Sequence, residues 1–207
     1  PDSCKAKIIY LGSRGQYGNP NIDVIDEETP MIPEDIQGIN KLAAESYYRV
    51  YSKLKNIDVV SLRFPNCFGK NQPTSGSDIG LIGGFIKDAL AEKNIDIYGK
   101  GRRRNIIYVD DLVNVIAELV KMNFTGFNAY NINGFNVSIY ELAKQIVSVV
   151  GKGAVSVKKM PKYIETIDIG NAEFSDEKIR NLIGETLKTE LKKAISDTVD
   201  YFRRYLS

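Results

Sequence analysis

Ser13 and Lys41 are the residues through which chemistry enters this sequence. The chain has no histidine, which removes the Ser-His-Asp triad, the imidazole general base and the His-ligated metal, so proton transfer falls to Tyr, Lys, Asp or Glu. Lys41 stands in Asn40-Lys41-Leu42-Ala43-Ala44-Glu45, within a stretch that reads as the opening of a long helix. One helical turn earlier is Gln37, whose amide can hold a hydroxyl in place but cannot cycle a proton. Ser13 lies in a loop of small residues, and its hydroxyl can both donate and accept a hydrogen bond. Each has a plainer alternative. A loop serine often caps its own backbone, and Lys41 could be a surface lysine paired with Glu45 at i,i+4, worth roughly a few tenths of a kcal/mol. Farther on, Lys100-Gly101-Arg102-Arg103-Arg104 is a basic turn. A guanidinium fork there suits phosphate oxygens; otherwise it is a solvated charged turn, the reading kept for Arg102 and Arg103.

The elements that must carry these residues alternate between strand and helix. Ala6–Leu11 is a short β-branched run stopped by Gly12, and Ser13–Gly18 is the loop after it. The pattern then predicts a helix over Ile36–Leu54, with Leu42, Tyr48 and Val50 facing inward. A buried strand follows over Asp58–Phe64, then a turn over Pro65–Gly69. After a loop rich in Gly, Ser, Pro and Thr to Asp78 come a helix over Ile79–Lys93 and short strands over Ile95–Tyr98 and Asn105–Val109. Asp110 or Asp111 caps the next helix, which runs to about Met122. A strand covers Asn128–Ile132, and Ser138 with Glu141 three residues later forms a capping box opening a helix to Val150. A strand over Ala154–Lys158 and helices over Ser175–Ile183 and Thr186–Tyr205 close the chain. This order predicts an α/β fold with a parallel sheet, since parallel neighbours need crossovers.

The totals bound the function. At 207 residues, 43% hydrophobic and 26% charged, the composition is that of an ordinary globular protein of one large or two small domains. A net charge of +2 gives no global field for nucleic acid or anionic membrane. No apolar run approaches the roughly 20 residues of a membrane-spanning helix, and a cytoplasmic location is expected. Cys4 and Cys67 make no disulfide framework and, without histidine partners, no zinc site; no metal is expected. The chain begins at Pro1 and enters a strand almost at once, which reads as a protein entered partway.

Five stretches, in order, resemble the extended short-chain dehydrogenase/reductases, specifically the NAD-dependent epimerase/dehydratase group acting on nucleotide-sugars. They are Ile9-Tyr10-Leu11-Gly12-Ser13 with Tyr17-Gly18; Asn40 to Glu45; Leu62-Arg63-Phe64-Pro65-Asn66-Cys67-Phe68-Gly69; Tyr98-Gly99-Lys100-Gly101 to Tyr108-Val109-Asp110-Asp111; and Tyr130-Asn131-Ile132 with Val137 to Ala143. The resemblance implies the C-terminal part of a Rossmann-type doubly wound parallel sheet plus a smaller, mostly helical substrate domain. Residues 1–69 would be the remainder of the NAD-binding domain, its Gly-rich N-terminal half missing. Residues 70–207 would be mainly the substrate domain, with about 104–132 returning to the sheet.

The same resemblance assigns the site. Ser13 would hydrogen-bond the reacting sugar oxygen, with Tyr17 beside it. Lys41 would hold the nicotinamide ribose of NAD and, in other members, lower the pKa of a tyrosine one turn earlier, where this chain has Gln37. Phe64 and Pro65 would lie beside the nicotinamide, and Asn66 and Arg104 would grip the substrate diphosphate. Tyr51-Ser52-Lys53-Leu54-Lys55 offers a second Tyr-Lys pair but sits at the far end of the helix. Arg14-Gly15 follow Ser13 where 4,6-dehydratases of the family carry acids, leaving epimerase-like or reductase-like chemistry. Ile164 and Glu165 occupy the region where members often carry another phosphate-binding arginine before an aspartate such as Asp168. The expected function is a nucleotide-sugar epimerase that oxidises its substrate transiently, with little activity for this chain alone. Two rivals are a non-catalytic sugar-nucleotide-binding protein and an NADPH-dependent reductase. The expected partners are a nucleotide-diphosphate sugar and a second copy of the chain.

Overall fold

The computed structural model describes residues 6–76, 79–162 and 171–206. Cys4, Ile164, Glu165 and Asp168 lie outside the described residues. The chain divides into two compact units, one of Pro1–Pro65, Leu112–Gly134 and Ile167–Leu187, the other of Asn66–Asp111, Phe135–Thr166 and Lys188–Ser207. The architecture is α/β. Among the described residues there are six helices, and strand pairing is parallel save for one antiparallel pair.

The first unit is built on three parallel strands. β1 (Lys7–Leu11) is followed by the two-residue strand β2 (Val24–Ile25), helix α1 (Ile36–Lys55) and β3 (Asp58–Arg63). The return segment adds a strand over Phe127–Asn131, numbered β7 below, in the sheet order β1-β3-β7. β3 is central, and Val59, Val60 and Leu62 are fully buried, each worth about 1.5–3 kcal/mol relative to exposure. A strand covered on both faces reads as a continuous apolar run rather than an alternating one. Ser61 and Arg63, buried in that same strand, must therefore find partners inside.

α1 departs from the inward face expected of it. It buries Gly38, Glu45 and Ser52, while Leu42 and Tyr48 are half-buried and Val50 is exposed. At 100° per residue Val50 stands about 140° from Glu45, so the face fixed by Glu45 turns Val50 outward. Asp35 opens the helix, its carboxylate accepting from the Gly38 N–H at 2.6 Å, and left-handed Asn56 closes it.

The second unit holds, among the described residues, five strands, three whole helices and the first turn of a fourth. β4 (Asn66–Phe68), α2 (Gly80–Leu90), β5 (Asn94–Tyr98) and β6 (Arg103–Tyr108) come first. Helix α3 (Val109–Lys121) leads into β7, and β8 (Phe135–Ser138), α4 (Ile139–Val150) and β9 (Ala154–Lys158) follow. The chain then adds β10 (Glu173–Phe174) and α5 (Glu177–Ile183) to the first unit and α6 (Leu191–Leu206) to the second. The sheet order is β4-β6-β8, with β5 and β9 paired in parallel apart from it. One apolar core joins Ile82, Phe85 and Ile86 of α2, Leu142 and Ile146 of α4, and Ile195, Val199 and Phe202 of α6. Gly83 sits inside α2 because a Cβ there would stand 3.1 Å from the Phe202 ring and 2.4 Å from the Gln72 amide.

Local signals account for most boundaries. α4 begins at the Ser138 cap and ends at left-handed Gly151. Two expectations are corrected. Asn66–Phe68 is no turn but a strand, because β6 offers it a parallel partner. Asp110 and Asp111 lie inside the first turn of α3 rather than before it, where negative charge suits the helix dipole. Asp111 is fully buried and accepts from Thr189 Oγ1 at 2.9 Å. At the other end of α3, Lys7 Nζ donates to the carbonyls of Leu119, Val120 and Met122, satisfying acceptors that a helix end leaves open. Among the described residues no helix is long and apolar enough to cross a membrane and no acid or cysteine cluster could hold a metal ion.

Candidate active site

In the first unit, Ser13 follows the end of β1 and caps a short 3-10 turn over Arg14–Tyr17. Three successive amides there are fixed. Gly12 N–H donates to Leu62 O at 2.8 Å and Arg14 N–H to Phe64 O at 3.0 Å, extending the β1–β3 ladder. Between them the Ser13 N–H points the other way, to Gln16 Oε1 at 2.7 Å. Ser13 Oγ accepts from the Gly15 N–H at 3.1 Å, so its own proton remains available to a ligand oxygen. The capping serine and the functional serine are thus compatible readings of one residue.

Lys41 is held at the same strand end. Its Nζ donates to Leu11 O, two residues before Ser13, at 2.8 Å. The Tyr10 ring lies 5.6 Å from that ammonium, and the Tyr10 hydroxyl donates to Lys41 O at 2.9 Å. The surface Lys41–Glu45 pair is not what forms. Glu45, one turn on, is 1% exposed and takes Arg63, also 1% exposed, at 2.5 and 3.0 Å. Ser61 Oγ and Gln16 Nε2 donate to Glu45 Oε2 at 2.7 and 2.8 Å. Burial alone would push the Glu45 carboxyl up, but these donors and the Arg63 charge hold it below the usual carboxylate range.

α1 reaches this turn because two glycines touch. A Cβ on Gly38 would stand 2.4 Å from Gly15 O. Helix propensity alone favours alanine at Gly38 by about 1 kcal/mol. Overpacking should reverse that sign, and Gly38→Ala is expected to lose about 1–2 kcal/mol net in urea unfolding. A stabilised variant would show that the contact is loose.

Gln37 is exposed on the Lys41 side of the helix, one turn earlier. Phe64 is half-buried and Pro65 buried, so of the two Phe64 keeps ring surface for a cofactor. Tyr17 is corrected. It is 1% exposed and packs edge-on against Phe174 in a small core with Ile25. Its hydroxyl accepts from Arg63 Nη1 at 2.6 Å and donates to Asn131 Oδ1 at 2.8 Å. Burial pushes the phenol up to about 12 even beside Arg63, so Tyr17 stays protonated, its hydroxyl committed to Arg63 and Asn131.

The second unit brings Asn66 and Arg104 together in a cavity of about 440 Å³, lined also by Leu81, Phe85, Asp96, Ile97, Tyr98, Arg102 and Ile139. The apolar walls come from α2, β5 and the start of α4. Arg102, read from the sequence as part of a solvated turn, also lines this cavity. Period-two alternation puts Arg102 and Arg104 on the side of Ile106 and Tyr108, which face the core. Arg103 falls on the other side and bonds Asn136 at 2.9 and 2.6 Å. The alternation is legible in the residue order alone.

The chain is similar to known proteins. The NAD dependent epimerase/dehydratase family matches residues 2–133. A putative UDP-glucose 4-epimerase of Methanocaldococcus jannaschii is 28% identical over 199 residues, 95% of this chain and 63% of that protein. The dTDP-D-glucose 4,6-dehydratase of Bos taurus is 27% identical over 204 residues, 95% of this chain and 56% of that one. Among solved structures, the UDP-glucose 4-epimerase of Thermotoga maritima with UDP-glucose aligns with a TM-score of 0.82 at 25% identity, over 97% of this chain and 64% of that one. The chain spans 56–63% of the length of those two curated relatives.

Proposed function

Because the chain belongs to the NAD dependent epimerase/dehydratase family, we propose that it is the larger part of a nucleotide-sugar epimerase. The observation that carries this reading over the dehydratase one is the turn after Ser13. Its next two residues are Arg14, 4% exposed, and Gly15, packed on Gly38, so the turn places no carboxylate beside the Ser13 hydroxyl to remove a second proton. Ser13 would donate to the reacting sugar hydroxyl, its own acceptor lone pair already turned to the Gly15 N–H.

Among the described residues the donor set would suit NAD at its nicotinamide-ribose end. Lys41, held at the end of β1, would bond the ribose hydroxyls, and the half-buried Phe64 would face the ring. Bound there, the cofactor would supply a hydride acceptor. Asn66, Arg102 and Arg104 would hold the nucleotide diphosphate, because paired guanidinium forks match its oxygens. Arg104→Ala is expected to weaken UDP binding by about 10- to 100-fold, the worth of a charge-assisted hydrogen bond. Calorimetry giving equal Kd values would remove the residue from the site.

The deciding experiment is turnover by the full-length protein on UDP- and dTDP-hexoses. Interconversion that disappears in Lys41→Ala supports the epimerase reading. Tight UDP-sugar binding with no interconversion would favour the rival, a non-catalytic binding protein, for which exposed Gln37 is the motivating residue.

A second copy of the chain is proposed as the partner of α1. Ile36, Ile39, Ala43, Tyr47, Val50 and Leu54 form an exposed apolar stripe along it, more contiguous than isolated surface residues require. Sedimentation should show a dimer that Ile39→Glu with Tyr47→Lys makes monomeric. A compact wild-type monomer would contradict this.

A further inference from the structure

Gln16 is fully buried, and both ends of its amide are committed. Its Oε1 accepts the Ser13 N–H at 2.7 Å, and its Nε2 donates to Glu45 Oε2 at 2.8 Å. The first contact reaches the turn that bears the candidate serine. The second reaches α1 one turn beyond Lys41, at a carboxylate locked by Arg63. A Cβ on Gly12 would stand 2.6 Å from Gln16 Oε1, so the glycine after β1 is what lets this amide lie against the strand end. An uncharged amide satisfies both neighbours, since one needs an acceptor and the other a donor.

We propose that Gln16 is a positioning residue, fixing the Ser13 hydroxyl relative to Lys41 by tying the serine's turn to Glu45 on the lysine's helix. This rests on the proposed role of Ser13 and Lys41, but the tie itself can be measured without turnover. A Gln16→Met variant keeps the volume and removes both bonds. A Gln16→Glu variant keeps the shape but sets two carboxylates against each other until one is protonated. Protonated, the new side chain again accepts from Ser13 and donates to Glu45.

The test uses the full-length protein and two readouts. Hydrogen exchange of the Ser13 amide should quicken at least about 10-fold in Gln16→Met relative to amides in α4, which reports the freed turn. Turnover on the nucleotide-sugar should fall about 10- to 100-fold in kcat, with KM within about threefold, since a misplaced group costs the transition state more than substrate binding. Gln16→Glu should be equally slow at pH 8 and recover as pH falls, with circular dichroism unchanged between the two, which separates it from loss of fold. Unchanged Ser13 exchange in Gln16→Met overturns the proposal, and so does quickened exchange with unchanged kcat. If the wild type turns over no nucleotide-sugar, the functional reading fails, and the exchange result alone decides whether Gln16 holds the turn.

Discussion

Glu45→Ala is expected to destabilise the protein by about 3–5 kcal/mol, because it strands the buried Arg63 guanidinium without its counter-ion. The pair is fully enclosed, so solvent screening offers no relief, and Gln16 and Ser61 lose their acceptor at the same time. Replacing both partners by apolar residues, as in Glu45→Leu with Arg63→Met, should cost less than either single change, since no charge is left unpaired. Urea unfolding at pH 7 checks both. Equal stability of Glu45→Ala and wild type would mean the pair contributes nothing. The pH dependence has a definite sign. The folded carboxyl lies below its ordinary value, so its contribution is complete above the unfolded pKa of roughly 4.3. It is lost as pH falls through the lower folded value. The advantage of wild type over Glu45→Gln should therefore shrink in acid and not in alkali.

Gln37→Tyr is expected to raise turnover of the full-length protein by about 10²- to 10⁴-fold, the usual contribution of one positioned acid/base. The position is exposed, one helical turn from the Lys41 ammonium, where an adjacent cation favours phenolate. Neither nearby tyrosine can substitute. Tyr10 is raised by burial and by the Glu45 charge, and Tyr17 is raised by burial and engaged in the interior. Initial rates with UDP-glucose measure the effect. An unchanged rate in Gln37→Tyr, with wild type already fast, would show that another group moves the proton and that the position was never vacated.

Much of the fold is legible in the sequence because its signals are local. The run from Val59 to Leu62, the Ser138 cap and the left-handed Gly151 each act within a few residues, and the elements they delimit lie close to the expected positions. The two-residue strands β2 and β10 are not legible, because each exists only through the other, far along the chain. Placement within the site divides in the same way. Ser13 and Lys41 are visible through the family resemblance, and Arg102 can be found by continuing the alternation of β6 one residue back.

What the sequence determined by itself was the inventory: a serine, a lysine, a basic turn, no histidine, and a glutamine where the family resemblance implies a phenol. Tertiary structure decided how those groups are used. Glu45 looked like a surface partner for Lys41, four residues away, yet its buried partner is Arg63 on β3, and Lys41 turns to Leu11 O. Tyr17 looked like a ligand contact and became an interior hydroxyl. The reason is physical. Spacing along a helix fixes which side chains can meet locally, but the desolvation that makes an ion pair or a phenol interior exists only once β1, β3 and α1 have closed around it.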